Sequence, residues 1–229
     1  VNWTGLKATI GGGMAVQDSV AKKWKNVTGC ILCEGYGLSE TSPVLSVNPL
    51  DGTERLGSIG LPTTSTEMAI FDENGNQLAQ GEIGEICARG PQVMSGYWNM
   101  NSEGVFFSGG WFRTGDIGIM DEEGFFKIVD RKKDMINVSG FNVYPNEVEE
   151  ILSLIPGVLE CAVVGMADEN TGEAVKAFIV RENEQLTKTQ IHAFCQEQMT
   201  NYKRPKQIEF LPSLPKTNVG KILRRELKS

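Results

Sequence analysis

Only one histidine, His192, occurs in 229 residues. A Ser-His-Asp or Cys-His relay therefore has a single candidate base. His192 falls in a helical pattern between Ile191 and Ala193, where a structural role is expected. Apolar runs fall far short of the ~18–20 residues that cross a bilayer. No charged-then-apolar leader opens the chain. It begins at Val1, in mid-pattern and without Met, which implies a fragment. Positive charge is in deficit: 22 Lys and Arg face 29 Asp and Glu, a net −7 that argues against a general nucleic-acid binder. Five cysteines, an odd number, give no disulfide framework and imply a reducing, cytoplasmic setting. Cys30 and Cys33 have CxxC spacing, but no second Cys or His pair follows at zinc-site spacing. Buried structural thiols are expected there.

What is present is an ordinary globular mixture, 40% hydrophobic and 22% charged, with length for one or two domains. The charge is uneven. Residues 203–229 carry eight basic and two acidic side chains, a balance of +6 on an otherwise acidic body. A basic tail on an acidic body suggests contact with an anion, but by charge alone a solvated basic end is the better reading.

The first 130 residues read as β-rich with one early helix. Apolar Met14, Val16, Val20, Ala21 and Trp24 predict that helix over 14–25. Glu73-Asn74-Gly75-Asn76 and Asp121-Glu122-Glu123-Gly124 each predict a hairpin turn, and 83–89 a strand. Past Asp130 the rhythm becomes that of a small α+β domain. A helix capped by Asn146 runs to Ile155 and is stopped by Pro156-Gly157. Strands are expected at 158–166, 174–180 and 207–211, and a helix after a Thr187 cap. The expected domains are 1–130 and 131–229, with the charged run 130–134 between them.

Four segments carry candidate chemistry. In Glu34-Gly35-Tyr36-Gly37-Leu38-Ser39-Glu40-Thr41, an aromatic among glycines can stack a purine, Ser39 can bond a phosphate oxygen and Glu40 can hold Mg²⁺. In Gly109-Gly110-Trp111-Phe112-Arg113-Thr114-Gly115-Asp116, an ionised Asp can accept from both hydroxyls of a ribose. The segment 128–145 reads as a charged linker leading into the Ser139-Gly140 turn and could hinge. In Leu214–Leu227, Lys221 follows a glycine, which suits close approach to a phosphate, although the P-loop spacing is absent. Alone, each segment also reads plainly as a turn, a linker or a solvated end.

Their order and wording together resemble the adenylate-forming superfamily of acyl-CoA synthetases, luciferases and carrier-protein adenylation domains. Ile59-Gly60-Leu61-Pro62, Gly90-Pro91-Gln92-Val93-Met94-Ser95-Gly96-Tyr97-Trp98 and the run 124–149 resemble bacterial long-chain fatty acid–CoA ligases in particular. The resemblance implies an α+β fold: the end of a large domain with a β-barrel-like portion, then a small mobile domain. It implies an ATP-dependent, AMP-forming acid–thiol ligase that uses ATP, Mg²⁺ and coenzyme A. Alternatives are a relative that keeps the adenylation but acts on a medium-chain or aryl acid or loads a carrier protein, or a non-catalytic partner-docking module. Expected partners are fatty acid, ATP and CoA but no nucleic acid. Peripheral contact with the inner membrane face and a homodimer are left open.

The resemblance also implies roles for single residues. The run Gly11-Gly12-Gly13, with Gly12 at its centre, and Gly35 line the adenine and acyl pocket. Tyr36 stacks near adenine, Ser39 meets the phosphate and Glu40 binds Mg²⁺. Asp116 and Arg131 hold the ribose. Lys221 serves the adenylation step, Lys133 is the hinge, and the Gly140 loop lines the pantetheine path. Ser39 keeps the hydroxyl of the usual Thr. Asn137 stands where some relatives place a Lys. The Ser/Thr/Gly-rich phosphate loop belongs upstream and is absent from these 229 residues. This piece alone is therefore expected to be inactive.

Overall fold

The computed structural model describes residues 2–13, 16, 18–218 and 220–228. The chain divides into two compact units, Val1–Ile128 and Val129–Ser229. No helix among the described residues is long and apolar enough to cross a membrane.

The first unit holds two sheets. β1 (Thr9–Gly11), β2 (Leu32–Gly37), β3 (Val44–Val47) and β4 (Leu61–Pro62) form one, in chain order. β1 and β2 are parallel and are linked by helix α1 (Asp18–Thr28). This helix starts later than its apolar pattern suggests and runs to Thr28, while Met14 lies outside the described residues. The second sheet comprises β5 (Glu67–Phe71), β6 (Gly84–Arg89), β7 (Phe106–Phe107), β8 (Trp111–Met120) and β9 (Phe126–Arg131), whose last residues enter the second unit. Its order is β5-β6-β8-β7, with β9 beside β8. The turn at 73–76 forms around Asp72, whose carboxylate accepts from the backbone N–H of Asn74 and Asn76. However, β5 pairs along its length with β6 and meets Gln77 only at one isolated bridge. Leu45 and Ile59 pack with Met68, Ile70, Ile86, Ala88 and Phe126, so the strands share one apolar core.

The second unit is one sheet covered on both faces. β10 (Ile136–Val138) and β11 (Phe141–Val143) form a hairpin, and β12 (Val158–Asp168), β13 (Gly172–Arg181) and β14 (Gln207–Phe210) complete the order β11-β10-β13-β12, with β14 parallel to β13. Side chains alternate across a strand. On one face Val163, Val175, Ala177 and Ile179 meet helices α2 (Pro145–Ser153) and α3 (Lys188–Gln198) through Val148, Leu152, Ile191 and Cys195. On the other, Ala162, Val164, Phe178 and Val180 meet Leu214, Ile222 and Leu227 of the tail. Each fully buried aliphatic side chain contributes about 1.5–3 kcal/mol.

Two local expectations need correcting. Asn146 does not cap α2. The cap is Tyr144, and Pro145 takes the first helical position, where a missing N–H costs nothing. The 136–143 stretch is a strand pair, not a linker. Ser139 and Gly140 both have positive φ, 52° and 87°, as the tight turn of a twisted hairpin requires. Thr187, by contrast, caps α3 as expected and shares a capping box with Gln190.

None of the five cysteines is in a disulfide. Cys30, Cys33 and Cys87 are buried in the first unit, and Cys195 is buried and Cys161 half-buried in the second. Burial, with the nearby Glu149 carboxylate, pushes the Cys161 thiol up to about 12.

Candidate functional site

In the first unit, the parallel pairing of β1 with β2 sets Gly11 opposite Glu34 and brings the glycine run 11–13 beside Gly35. A Cβ on Gly12 would lie 3.2 Å from the Gly35 carbonyl oxygen. At Gly37 the chain folds back so tightly that a Cβ would lie 1.7 Å from the Pro43 carbonyl oxygen. No other residue fits that turn. Thr41, fully buried, secures it: its hydroxyl donates to the Pro43 carbonyl at 2.7 Å, and it accepts from the Leu38 N–H at 3.0 Å. Ser39 and Glu40 ride on the resulting single helical turn, with Ser39 exposed.

Tyr36 lies just before this turn. Its hydroxyl donates to Asp116 Oδ2 at 2.6 Å, joining two segments that are 80 positions apart. Asp116 is buried, and its backbone N–H donates to Thr114 Oγ1 at 3.1 Å. Thr114 in turn bonds the Ile86 carbonyl of β6. Gly115, at φ 74°, turns its N–H to Glu85, which also pairs with Arg113. Asp116 is thus fixed by backbone on a central strand and offers carboxylate oxygens beside an aromatic ring.

Glu40 has a partner that sequence reasoning missed. The Tyr97 hydroxyl donates to Glu40 Oε1 at 2.8 Å, and the Met94 N–H donates to the Glu40 carbonyl at 2.8 Å. The hydrogen bond to Glu40, then burial, holds the Tyr97 phenol above its ordinary pKa. Among the described residues no three His, Cys, Asp or Glu side chains gather as a metal cluster. One carboxylate nonetheless fits Mg²⁺, which commonly keeps several waters and takes one or two carboxylates plus substrate phosphates.

In the second unit, Arg131 ends β9 and is exposed, Lys133 is exposed on a helical turn (Lys132–Asp134), and Gly140 is exposed at the β10–β11 turn. The Asn137 carboxamide accepts from the Gly140 N–H at 2.9 Å, so it shapes that turn. Asp130, only 1% exposed, accepts from the N–H groups of Arg131 and Asn146, both at 2.7 Å. The carboxylate therefore stands at the start of α2, where the helix dipole favours a negative charge. Burial still pushes the Asp130 carboxyl above the ordinary range.

Lys221 is exposed in a loop closed by Thr217 N–H to Lys221 carbonyl, 2.8 Å, and Leu223 N–H to Pro215 carbonyl, 2.9 Å. Val219 lies outside the described residues. The expectation of a solvated face for most of the tail's charges needs revision. Lys203 pairs with Glu147, Lys206 with Asp168, Lys216 with Glu160, Lys228 with Asp134 and Arg224 with Glu149. The positive balance largely answers this unit's own carboxylates. Arg204 instead donates to the Gln196 and Met199 carbonyls and closes the end of α3.

Comparison with known proteins completes the picture. Residues 2–98 match the family described as AMP-binding enzyme, and residues 147–221 match the AMP-binding enzyme C-terminal domain. A long-chain-fatty-acid–CoA ligase of Escherichia coli O157:H7 is 52% identical over 229 residues, all of this chain and 41% of the relative. The ligase of that description from Bacillus subtilis (strain 168) is 48% identical over 225 residues, 97% of this chain and 40% of the relative. The chain therefore spans about two fifths of the length of the curated relatives it matches. Among solved structures, ATP-bound MatB from Rhodopseudomonas palustris superposes with TM-score 0.89 at 34% identity, covering 96% of this chain and 44% of that one. The o-succinylbenzoate CoA synthetase of Bacillus subtilis, with its acyl-adenylate intermediate, superposes with TM-score 0.81 at 33% identity, covering 96% and 45%.

Proposed function

The chain belongs to the AMP-binding enzyme family, and from that premise we propose that it is the C-terminal part of a long-chain fatty acid–CoA ligase. The observation that carries the reading is the Tyr36–Asp116 hydrogen bond, which sets a ring able to stack a purine beside a carboxylate able to grip a ribose. The acid class follows the names of the relatives.

The complete enzyme works in two halves. A fatty-acid carboxylate oxygen attacks the α-phosphorus of ATP. The bond from that phosphorus to the bridging oxygen breaks, and pyrophosphate leaves. No general base is needed, because the carboxylate is already ionised near pH 7. The barrier is one of charge and positioning. Gly12 and Gly35 line the pocket, Tyr36 faces adenine, Ser39 meets phosphate, and Asp116 and Arg131 hold the ribose. Glu40 would hold Mg²⁺ with the phosphate oxygens, and the ion would neutralise the departing pyrophosphate. Lys221 supplies the positive charge at the α-phosphate and the acyl carboxylate. In the second half the CoA sulfur, its proton lost to solvent, attacks the acyl carbon and AMP leaves. Movement about Lys133 withdraws Lys221 and presents the Gly140 loop to pantetheine.

ATP-dependent thioester formation by the complete protein, measured across acids of rising chain length and across aryl acids, tests the reading. A rate rising with chain length supports it. Preference for a short or aryl acid overturns the long-chain assignment, and no acyl-adenylate with any acid overturns the enzyme. Fatty acid drawn from a bilayer face and a homodimer belong to the same reading, and vesicle flotation and sedimentation velocity test them.

A further inference from the structure

Lys221 sits on an exposed loop, and a lysine is a point charge on a flexible stem. To place that charge repeatedly at one phosphate, the loop itself must be held. Apolar anchors hold it on either side, since Ile222, Leu214 and Leu227 pack against β12 and β13. Between Ile222 and Leu227 lies Arg224, whose side chain is 19% exposed. Its guanidinium meets both Glu149 oxygens, Nη2 at 2.7 Å and Nε at 3.2 Å, and Nη2 also donates to Asn146 Oδ1 at 2.6 Å. Its Nη1 lies 3.9 Å from Asp134 Oδ2.

Each partner is itself fixed. Glu149 Oε1 also accepts from the Val163 N–H at 2.7 Å, which closes the edge of β12. Asn146 is tied through its backbone N–H to Asp130 and through its side chain to the Val129 carbonyl. Asp134 ends the short turn that contains Lys133. A buried ion pair is weak evidence for stability, because desolvation offsets most of its attraction. A two-pronged Arg–carboxylate contact does fix direction, which a Lys cannot. Burial lowers the Arg224 pKa, but Glu149, Asp130 and Asp134 together raise it by more, and burial holds Glu149 above the usual carboxylate range.

We propose that Arg224 is a positioning residue for adenylation. Through Glu149, Asn146 and Asp134 it fastens the Lys221 loop to α2 and to the turn bearing Lys133. Asp134, the helix and the loop then move as one body about Lys133. This rests on the role proposed above for Lys221.

The test uses the complete enzyme with Arg224→Gln and Arg224→Lys. For Arg224→Gln, kcat for fatty-acid-dependent ATP–pyrophosphate exchange should fall roughly 10- to 100-fold, as misplacement of a charge by an ångström can cost. KM for ATP should change by less than about 2-fold, because the Lys221 charge acts in the transition state of adenylation, and so should the conversion of supplied acyl-adenylate to thioester, because that step does not use Lys221. Added to Lys221→Ala, Arg224→Gln should cost less than about 2-fold more. Arg224→Lys, which keeps the charge and guards against misfolding, should also lose exchange selectively. Amide hydrogen exchange over 215–223 should quicken while β12 and β13 stay protected. Equal loss of both half-reactions, or full additivity with Lys221→Ala, overturns the positioning role. Unchanged loop exchange overturns the clamp whatever the activity. A wild-type enzyme that forms no acyl-adenylate overturns the functional reading instead, and quickened loop exchange would still record the clamp.

Discussion

The two units hold their proposed reacting groups by different means. In the first, Asp116 and Tyr36 are fixed mainly by backbone: a strand centre, a positive-φ glycine, and a turn at Gly37 that admits no side chain. In the second, side chains reaching across the unit flank the Lys221 loop, with Arg224 bonding Glu149 75 positions away. The first arrangement suits a pocket that must stay preformed. The second suits a charge that is delivered and withdrawn as part of a moving body, because its ties lie within that body.

Substitutions can break or sharpen this contrast. The largest effect is expected for Lys221→Ala. By analogy with removal of an oxyanion donor, about 3–4 kcal/mol of transition-state stabilisation is lost, and ATP–pyrophosphate exchange in the complete enzyme falls by two to three orders of magnitude. Exchange at wild-type rate would remove the lysine from the mechanism. Next, Lys133→Pro fixes φ in the proposed hinge. Adenylation should survive while thioester formation drops about tenfold or more, as expected where a conformational step gates the second half. Loss of both halves together counts against a hinge.

Gly37→Ala attacks the backbone-built unit directly. Crowding the Pro43 carbonyl should destabilise the first unit by about 1–3 kcal/mol and weaken nucleotide binding. Calorimetry of the complete protein with and without ATP would show it, and an unchanged melting temperature would refute so tight a turn. Tyr36→Phe removes one donor from a buried carboxylate, a loss of about 1.5–3 kcal/mol if the bond is charge-assisted. The expected signature is a raised KM for ATP with thioester chemistry intact.

The smallest effect concerns Asp168. Hydrogen bonds from Lys206 and Thr171 hold its carboxyl down at about 2, below the ordinary 3.8. A depressed acid stabilises the fold above its unfolded pKa, and that contribution is lost as pH falls from about 4 toward 2. Asp168→Asn should flatten the stability curve of the second unit in that window and leave it unchanged near neutrality.

The same contrast explains what could be read from the amino acids. Glycine-bracketed Tyr36, the Thr187 cap and the turn residues at 73–76 and 121–124 act over a few positions, so local pattern reveals them. The 136–143 hairpin was legible in Ser139-Gly140, but the charged run before it masks the alternation of buried Ile136, Val138 and Val143. Asn146 was misassigned because capping preference says nothing of a proline one position earlier that sets the helix start. The pairing of tail cations with distant acids was hidden altogether. A charge count cannot tell a solvent-facing lysine from one matched across a sheet.

The reduced thiols give this chain a property that needs no engineering. Three lie in one unit and two in the other, and four are shielded from solvent in the folded state. An alkylating reagent added along a denaturant series would mark each set only as its own unit opens. Peptide masses would then report which half of the polypeptide lets go first, without a dye or a tag.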